Sequence, residues 1–537
     1  MNGGVPMSLV YVKNRKNGIT YVYESAGYWD KERKQARNKR ICIGKLDPET
    51  GELIPSKRLE HRDLPSGSKR GPTPSLENRR SFYGTTYLFD GIGQKLGVTE
   101  DLKRCFPETY TMILSIAYYL IMEDRNPLSR FPKWSYTHAH PFGKDIPSQR
   151  SSELFAAISE EAKQNFFRLQ AARRLEEEYL AYDTTSISSY SKTLKQVRYG
   201  HNKENDYLPQ INLALVFGES SRLPVYYRKL PGNIADVKTV TKLLSDIDYL
   251  NLDKVKLVMD RGFYSEANIN QLYHKHYKFL ISAKKSLKFV SEKLAESKSK
   301  MVTRAHYSSL HGIYFDTHTI DWDYTETKPR SGEVIRDKRR MYLHLFFNDQ
   351  RAVDDKIAFN KLLDSLEEEL TSGKRNPDHE KIYSKYYDIK ETPVRGITFT
   401  PKKEAIAKVE EGYGYFALIS NGIKDPLSAL EIYRCKDVIE KAFGNLKERL
   451  NMRRTSVSSE ENLDGKLFVQ FVALIYLSYI QKAMNQNDLF RRYTMQELLD
   501  ELDVIERFEQ PGKNHHIGEV TGKQLELYRT LGVDPPS

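Results

Sequence analysis

The stretch of sequence that decides the fold reads Tyr179-Leu-Ala-Tyr-Asp-Thr-Thr-Ser-Ile187. Its apolar, aromatic and β-branched residues predict a strand. Asp183 lies in the middle of this strand. A carboxylate within an apolar strand is energetically costly unless it is paired or binds a metal ion. At this point an aspartate that faces water from an edge strand is an equally good interpretation.

The residues that follow this strand predict a mixed α/β sheet. Helix 236–250 is indicated by apolar residues on one face, and Ser265 is the predicted N-cap of the next helix. Three consecutive strands and then alternating helices and strands are typical of such a sheet. The predicted elements after the first strand are strands 210–217 and 224–230, helix 236–250, strand 255–259, helix 265–276 and strand 278–282.

The rest of the chain is divided around this core. A length of 537 residues allows three or four domains at roughly 150 residues each. Short strands are predicted at 10–12, 20–23 and 40–43, before a proline-containing linker. Residues 76 to about 177 are predicted to be helical, and 154–178 is rich in strong helix formers. The expected organisation is an N-terminal β-rich region and linker at 1–75, a helical region at 76–177, the first part of the core at 178–285, an insertion subdomain at 286–425, and the completion of the core with C-terminal helices at 426–537.

Composition narrows the classes of function. Lys and Arg number 84 against 72 for Asp and Glu, which leaves a formal net charge of +12. This balance favours a polyanionic partner such as nucleic acid, although many basic proteins bind none. A mean hydropathy of −0.62 excludes a polytopic membrane protein. The longest apolar run, 467–480, is shorter than the roughly 20 residues that span a bilayer, so it predicts a buried core helix and no membrane association.

The cysteines and the N-terminus indicate the compartment. Three cysteines, far apart along the chain, exclude a disulfide framework and a cysteine-based zinc site, and they suit a reducing cytoplasm. The N-terminus lacks a charged segment followed by an apolar one, so no secretory signal is expected.

A second acidic residue, Asp260, closes the predicted strand 255–259 and is followed by Arg261 and Gly262. Ligand sites in open α/β sheets lie at the carboxyl ends of strands, and glycine permits a sharp turn into the next helix. The alternative interpretation is an aspartate that only begins the following helix.

A third acidic residue, Glu440, belongs to a segment predicted as one helix from Ile432 to Leu450. On that helix Tyr433, Lys436, Glu440 and Lys447 fall within about 60° of one another, beside an apolar stripe. An ordinary solvated helix face is the alternative. If the three acids converge, they form a hard oxygen-ligand site for Mg²⁺, and two such ions can drive an in-line phosphoryl displacement.

At these residues the sequence resembles insertion-sequence transposases of the DDE class. The resemblance is to the subgroup with the signature Tyr-(2)-Arg-(3)-Glu-(6)-Lys, read here as Tyr433, Lys436, Glu440 and Lys447. Lysine replaces the arginine, which keeps the charge and loses the bidentate fork. The further segments that look like motifs of this family are Tyr182 to Ser186, Tyr199 to Lys203 with Gln210, Pro231 to Asn233 with Asp236, Asp260 to Phe263, and Gly414 to Asn421.

The resemblance implies a ribonuclease-H-like α/β fold that is interrupted by a β-rich insertion. It implies that Asp183, Asp260 and Glu440 are catalytic and hold two Mg²⁺ ions, for which Mn²⁺ can substitute. Tyr433, Lys436 and Lys447 would then hold DNA phosphates. His201, Lys203 and Arg261 are weaker candidates for contacts with the DNA backbone.

The implied activity is cut-and-paste transposition, with metal-dependent cleavage at transposon ends and strand transfer into target DNA. The expected partners are double-stranded DNA, as terminal inverted repeats and target, and a second copy of the chain. The expected location is the cytoplasm of a prokaryote, at the nucleoid. The alternatives are a ribonuclease-H-like nuclease without strand transfer and a catalytically inactive DNA-binding descendant. Region 76–177 is a candidate for binding DNA ends. Trp322 is a candidate for stacking on a flipped base, although a core position is the commoner fate of a tryptophan.

Overall fold

The computed structural model divides the chain into two compact units, residues 1–78 and 79–537. The residues that it describes are 7–30, 35–56, 79–173, 178–191, 193–200, 202–203, 207–250, 255–328, 331–392, 396–455, 457, 459–510 and 514–536.

The first unit contains an antiparallel sheet in which each strand pairs with the next along the chain. Its strands are β1 (Met7–Lys13), β2 (Thr20–Asp30), β3 (Gln35–Leu46) and β4 (Leu53–Pro55). Gly18, between β1 and β2, has a φ of +71°, a conformation that glycine adopts without steric cost. The three predicted strands of this region are confirmed, whereas most of the predicted linker lies outside the described residues.

The second unit begins with a short strand and a group of helices. These elements are β5 (Arg79–Phe82), α1 (Gly84–Lys95), α2 (Val98–Cys105), α3 (Tyr110–Met122), α4 (Phe131–Thr137), α5 (Ser148–Ala157) and α6 (Glu160–Ala172). The helix formers of 154–178 lie in two helices, α5 and α6, because Ser159 starts a new helix by accepting a hydrogen bond from the Ala162 backbone N–H. Glu160 and Glu161 then lie in the first turn, where acidic residues are favourable.

The central sheet follows. Its first elements are β6 (Leu180–Ser189), β7 (Gln210–Gly218), β8 (Pro224–Pro231), α7 (Asp236–Leu250), β9 (Lys256–Met259), α8 (Glu266–His274) and β10 (Lys278–Ala283). The strand order is β8-β7-β6-β9-β10. The pairs β8–β7 and β7–β6 are antiparallel, whereas β6–β9 and β9–β10 are parallel. The predicted mixed α/β sheet is thus confirmed, as is Ser265 at the N-cap of α8.

The segment 286–425 extends this sheet and adds helices. Its elements are α9 (Lys288–Met301), β11 (Tyr307–Ser308), β12 (Ile313–Thr327), β13 (Val334–Phe347), α10 (Asp349–Ser372), α11 (Glu380–Tyr386), β14 (Tyr387–Thr392), β15 (Gly396–Pro401), α12 (Lys403–Glu410) and β16 (Tyr415–Ser420). β16 pairs with β10, and β13 and β12 continue the sheet beyond it. The expected β-rich character holds only in part, because the longest described element of this segment is a helix, α10, with 24 residues. This helix packs in a separate small core that contains Phe359 and Leu366.

The C-terminal part returns to the central sheet. Its elements are α13 (Pro426–Arg434), α14 (Asp437–Gly444), a π-helical segment (Asn445–Arg449), β17 (Arg454–Thr455), α15 (Glu460–Gln486), α16 (Met495–Asp503), β18 (Glu506–Glu509), β19 (His516–Ile517) and α17 (Gly522–Thr530). Helix α15 is long and apolar enough to cross a membrane, but 83% of its most apolar window is buried inside the protein. It is therefore the core helix that its composition predicts.

Candidate active site

The register of two parallel strands brings the first two acidic residues together. β6 and β9 pair so that Tyr182 lies opposite Met259. Asp183 and Asp260 each follow one of these buried residues, so they project side by side, on the face opposite to Tyr182 and Met259. The parallel pairing thus places two carboxylates next to each other, Asp183 from within β6 and Asp260 directly after the carboxyl end of β9.

Hydrogen bonds hold each of these aspartates in place. The Thr184 backbone N–H donates to Asp183 Oδ1 at 2.8 Å. Asp260 Oδ1 accepts from the Arg261 backbone N–H at 2.7 Å and from the Tyr433 hydroxyl at 2.9 Å. Burial acts to raise the pKa of Asp260, but the charge of Lys436 and these hydrogen bonds outweigh it and lower the pKa. Asp260 is therefore an anion at neutral pH.

Lys436 joins all three predicted acids. Its Nζ lies 3.5 Å from Asp183 Oδ2, 3.4 Å from Asp260 Oδ2 and 3.9 Å from Glu440 Oε1. The Lys436 side chain is only 8% exposed. Burial alone would lower its pKa, but the charges of Asp183 and Asp260 outweigh burial and raise the pKa, so the group stays protonated. The three acids, from separate parts of the chain, therefore surround one ammonium group.

The helix that carries Lys436 and Glu440 differs from its predicted form. The prediction of one helix over 432–450 is wrong, because α13 ends at Arg434 and α14 begins at Asp437. Between them the backbone tightens, with hydrogen bonds from Lys436 to Tyr433 and from Ile439 to Lys436 that span three residues rather than four. The tight turn changes the angular positions of the side chains from those of a continuous α-helix.

Lys203 and Asp236 complete the charged cluster. Lys203 Nζ donates to the Thr184 carbonyl at 2.7 Å and to its hydroxyl at 2.8 Å, and it lies 3.2 Å from Asp236 and 4.0 Å from Asp183. The Thr184 hydroxyl donates to Asp236 Oδ1 at 2.6 Å. The sequence interpretation placed Asp236 only in a loop motif and missed it as a residue of the site. An aspartate at the start of α7, close after the end of β8, is the sequence feature that could have identified it as a site residue.

The remaining residues that the sequence predicts as functional are Arg261, Lys447, His201 and Trp322. Arg261 is exposed directly beside Asp260. Lys447 is half-buried in the π-helical segment, and His201 lies outside the described residues. Trp322 is 8% exposed and its indole N–H donates to Asn270 at 2.8 Å, which favours a core role over base stacking.

The donor set fits a divalent ion by its chemistry, and its carboxylates are arranged around an ammonium group. Carboxylate oxygens are the ligands that Mg²⁺ prefers. In the part of the chain that the structure describes, no group of three or more His, Cys, Asp and Glu side chains is arranged to hold a metal ion. Instead the three carboxylates of Asp183, Asp260 and Glu440 face the Lys436 ammonium, which lies at the centre of the cluster.

No similar sequence is found among curated proteins. One similar solved structure is the piggyBac transposase synaptic complex with hairpin DNA, determined by cryo-EM, which is 11% identical over 81% of this chain and 82% of that chain. Its TM-score of 0.36 is too low to establish a shared fold.

The chain also matches the model of a protein family. Residues 174–476 match the model of the transposase DDE domain. The match covers more than half of the chain and spans the segments that contribute Asp183, Asp260 and Glu440. The chain therefore belongs to the DDE-domain transposase family.

Proposed function

We propose that this transposase cuts DNA at transposon ends and joins the freed 3′ end to target DNA, with Asp183, Asp260 and Glu440 as the metal-binding catalytic acids. The observation that carries this proposal is the position of Lys436, whose ammonium lies within 3.9 Å of a carboxylate oxygen from each of the three. Carboxylates from separate chain segments rarely gather in this way unless they bind a cation.

The core is proposed to be ribonuclease-H-like. Three antiparallel strands, β8, β7 and β6, are followed on the other side of β6 by the parallel strands β9 and β10. This order supports the fold that the sequence resemblance implies. It also accounts for the pairing of Asp183 with Asp260, because both follow the register of β6 and β9.

Two Mg²⁺ ions, or Mn²⁺ in their place, are the proposed cofactor. When bound, such ions act as Lewis acids and generate a nucleophile from water at neutral pH. The residues of this chain hold the acidic side chains in position. The Tyr433 hydroxyl holds Asp260, the Thr184 backbone N–H holds Asp183, and Lys203 links the cluster to Asp236. Burial and the charge of Asp260 raise the pKa of Tyr433 to about 12, so Tyr433 remains a hydrogen-bond donor.

Double-stranded DNA is the proposed substrate, bound by a homodimer that brings two ends together. Support comes from the net charge of +12 and from cationic groups around the acids. Tyr433, Lys436, Lys447, Lys203 and Arg261 are proposed to contact phosphates near the cut, and His201 is retained as a further candidate. Tyr433 and Lys436 contact the carboxylates in the DNA-free structure, so contact with phosphate requires them to rearrange.

The test is cleavage and joining of DNA that carries the inverted repeats flanking the coding region. Asp183→Asn, Asp260→Asn and Glu440→Gln are each expected to reduce strand cleavage by more than about 100-fold, above the range for groups that only support metal ligands. DNA binding is expected to persist. Asp437→Asn is the matched control, because Asp437 lies on the same helix as Glu440 but pairs with Lys441.

Three outcomes would contradict parts of the proposal. Full cleavage by any of the three variants would remove that residue from the catalytic set. Cleavage by the wild type without joined products would indicate a nuclease rather than a transposase that transfers strands. DNA binding by the wild type without cleavage in Mg²⁺ or Mn²⁺ would indicate an inactive descendant.

A further inference from the structure

The contacts of Lys436 differ from those of an ordinary ion pair. Charge-assisted N–H···O hydrogen bonds are usually about 2.7–2.9 Å long. The three distances from Lys436 Nζ to the acids are 3.4, 3.5 and 3.9 Å, so the ammonium forms no short bond with any of them. It lies between them instead, as a cation shared by three anions would.

The charge of Lys436 is needed where it lies. Without it, Asp183, Asp260 and Glu440 would have no cation at the point from which each lies within 3.9 Å, and like charges gathered around one point repel. Lys203 is the other ammonium nearby, but it lies 4.0 Å from Asp183 and is held by Thr184 and Asp236. Lys203 therefore neutralises the edge of the cluster rather than its centre.

The chemistry of lysine suits a cation that has to leave. Its ammonium is a compact point charge on a flexible stem, whereas the arginine of the resembling signature would bind a carboxylate through a rigid bidentate fork. Lys436 lies in the turn between α13 and α14, on a different segment of the chain from β6 and β9. Movement of its side chain therefore breaks no backbone hydrogen bond of those two strands.

We propose that Lys436 is a built-in counter-cation, which holds the three carboxylates together in the metal-free protein and is displaced when divalent ions bind. This inference rests on the proposed metal-binding role of the acids, and it adds Lys436 as a cation that competes with the metal ions for the same position. Metal binding then includes the cost of moving the ammonium away from its three partners. The displaced ammonium becomes available to a DNA phosphate.

The test is Mn²⁺ binding by the full-length protein without DNA, measured as loss of the electron paramagnetic resonance signal of free Mn²⁺. Lys436→Met keeps an unbranched, flexible side chain that ends before the ammonium position, and it removes the charge. It is expected to bind Mn²⁺ at least about tenfold more tightly than the wild type, because the competing cation is gone. Lys441→Met is the matched control, since Lys441 lies one residue beyond Glu440, is exposed and pairs with Asp437. Its Mn²⁺ affinity should equal that of the wild type.

A thermal melt gives a second readout. Without metal, Lys436→Met should melt below the wild type because the carboxylates repel, and saturating Mg²⁺ should raise its melting temperature more than that of the wild type. If the variant is unfolded without metal, refolding on addition of Mg²⁺ is the expected result, and failure to refold overturns the proposal. Lys436→Gln provides an independent uncharged variant with the same expectations.

The outcomes separate this inference from the proposed function. If Lys436→Met binds Mn²⁺ no more tightly than the wild type while the wild type cuts DNA, only the counter-cation proposal is overturned. If the double variant Lys436→Met/Asp260→Asn binds Mn²⁺ as tightly as Lys436→Met, Asp260 is not a ligand, and the proposed metal site and this inference both fail.

Discussion

Two acidic clusters in this protein are neutralised in opposite ways. In the helical region, Asp101 is 3% exposed and receives both donors of the Arg173 fork, at 2.8 Å to each oxygen, while Gln170 donates to it at 2.5 Å. In the central sheet, three carboxylates share one ammonium at 3.4 Å or more. The first cluster satisfies its anion at hydrogen-bonding distance, and the second does not.

The difference separates a stabilising ion pair from the proposed metal-binding site. A buried carboxylate with two short bonds to a guanidinium has little capacity left for another ligand. Carboxylates that share one cation at long range retain free lone pairs and excess negative charge, which a divalent ion can use. The helical cluster should therefore affect stability strongly, whereas the cluster of Asp183, Asp260 and Glu440 should affect activity strongly and stability little.

Arg173→Ala tests the stabilising side of this comparison. Removing the guanidinium leaves Asp101 buried without its cation, and broken buried pairs cost about 3–5 kcal/mol. Because Arg173 is 38% exposed and water can partly replace it, we expect about 3 kcal/mol, at the low end of that range. Urea unfolding measures the loss. Lys293→Ala is a control that breaks a surface pair with Glu296 and should cost less than about 1 kcal/mol.

Asp260→Asn tests the other side and should have the smaller effect on folding. It removes an attraction to Lys436 but also a repulsion from Asp183, so we expect a change of less than about 1 kcal/mol. The lowered pKa of Asp260 means that its ion pairing stabilises the fold above pH ~4 and is lost as the pH falls through the folded-state pKa. Any destabilisation in the variant should therefore shrink below pH ~4. A urea unfolding series from pH 3 to pH 7 measures this, and a loss above about 2 kcal/mol at pH 7 would mark the cluster as structural.

Much of the central sheet could be predicted from local pattern. Helix α7 has the bounds that its apolar face predicts, and the strands around it differ from the predicted ones by at most two residues at either end. These elements are long apolar runs or clear amphipathic faces, in which local preference and burial agree. The juxtaposition of Asp183 and Asp260 follows from the parallel register of β6 and β9, in which Asp183 lies within one strand and Asp260 follows the end of the other.

The predictions that failed depend on contacts from outside the segment concerned. Periodicity predicts one helix from 432 to 450, but the chain turns at Lys436, whose ammonium lies close to Asp183 of β6 and to Asp260 directly after β9. No local pattern reveals that these distant residues are neighbours. For the same reason Lys436 was assigned to phosphate alone. The insertion was expected to be β-rich, yet helix α10 packs with Tyr383 and Tyr387 from later in the chain.

The central claim is that Asp260 and its two partners bind divalent ions that act on DNA, and a change of ligand tests it most directly. Asp260→Cys replaces a hard oxygen ligand by a softer sulfur, which Mn²⁺ accepts more readily than Mg²⁺. End cleavage by this variant should be lost in Mg²⁺ and regained in part in Mn²⁺, while Asp437→Cys should cut in both. Cleavage by Asp260→Cys at the wild-type rate in Mg²⁺ would contradict the account.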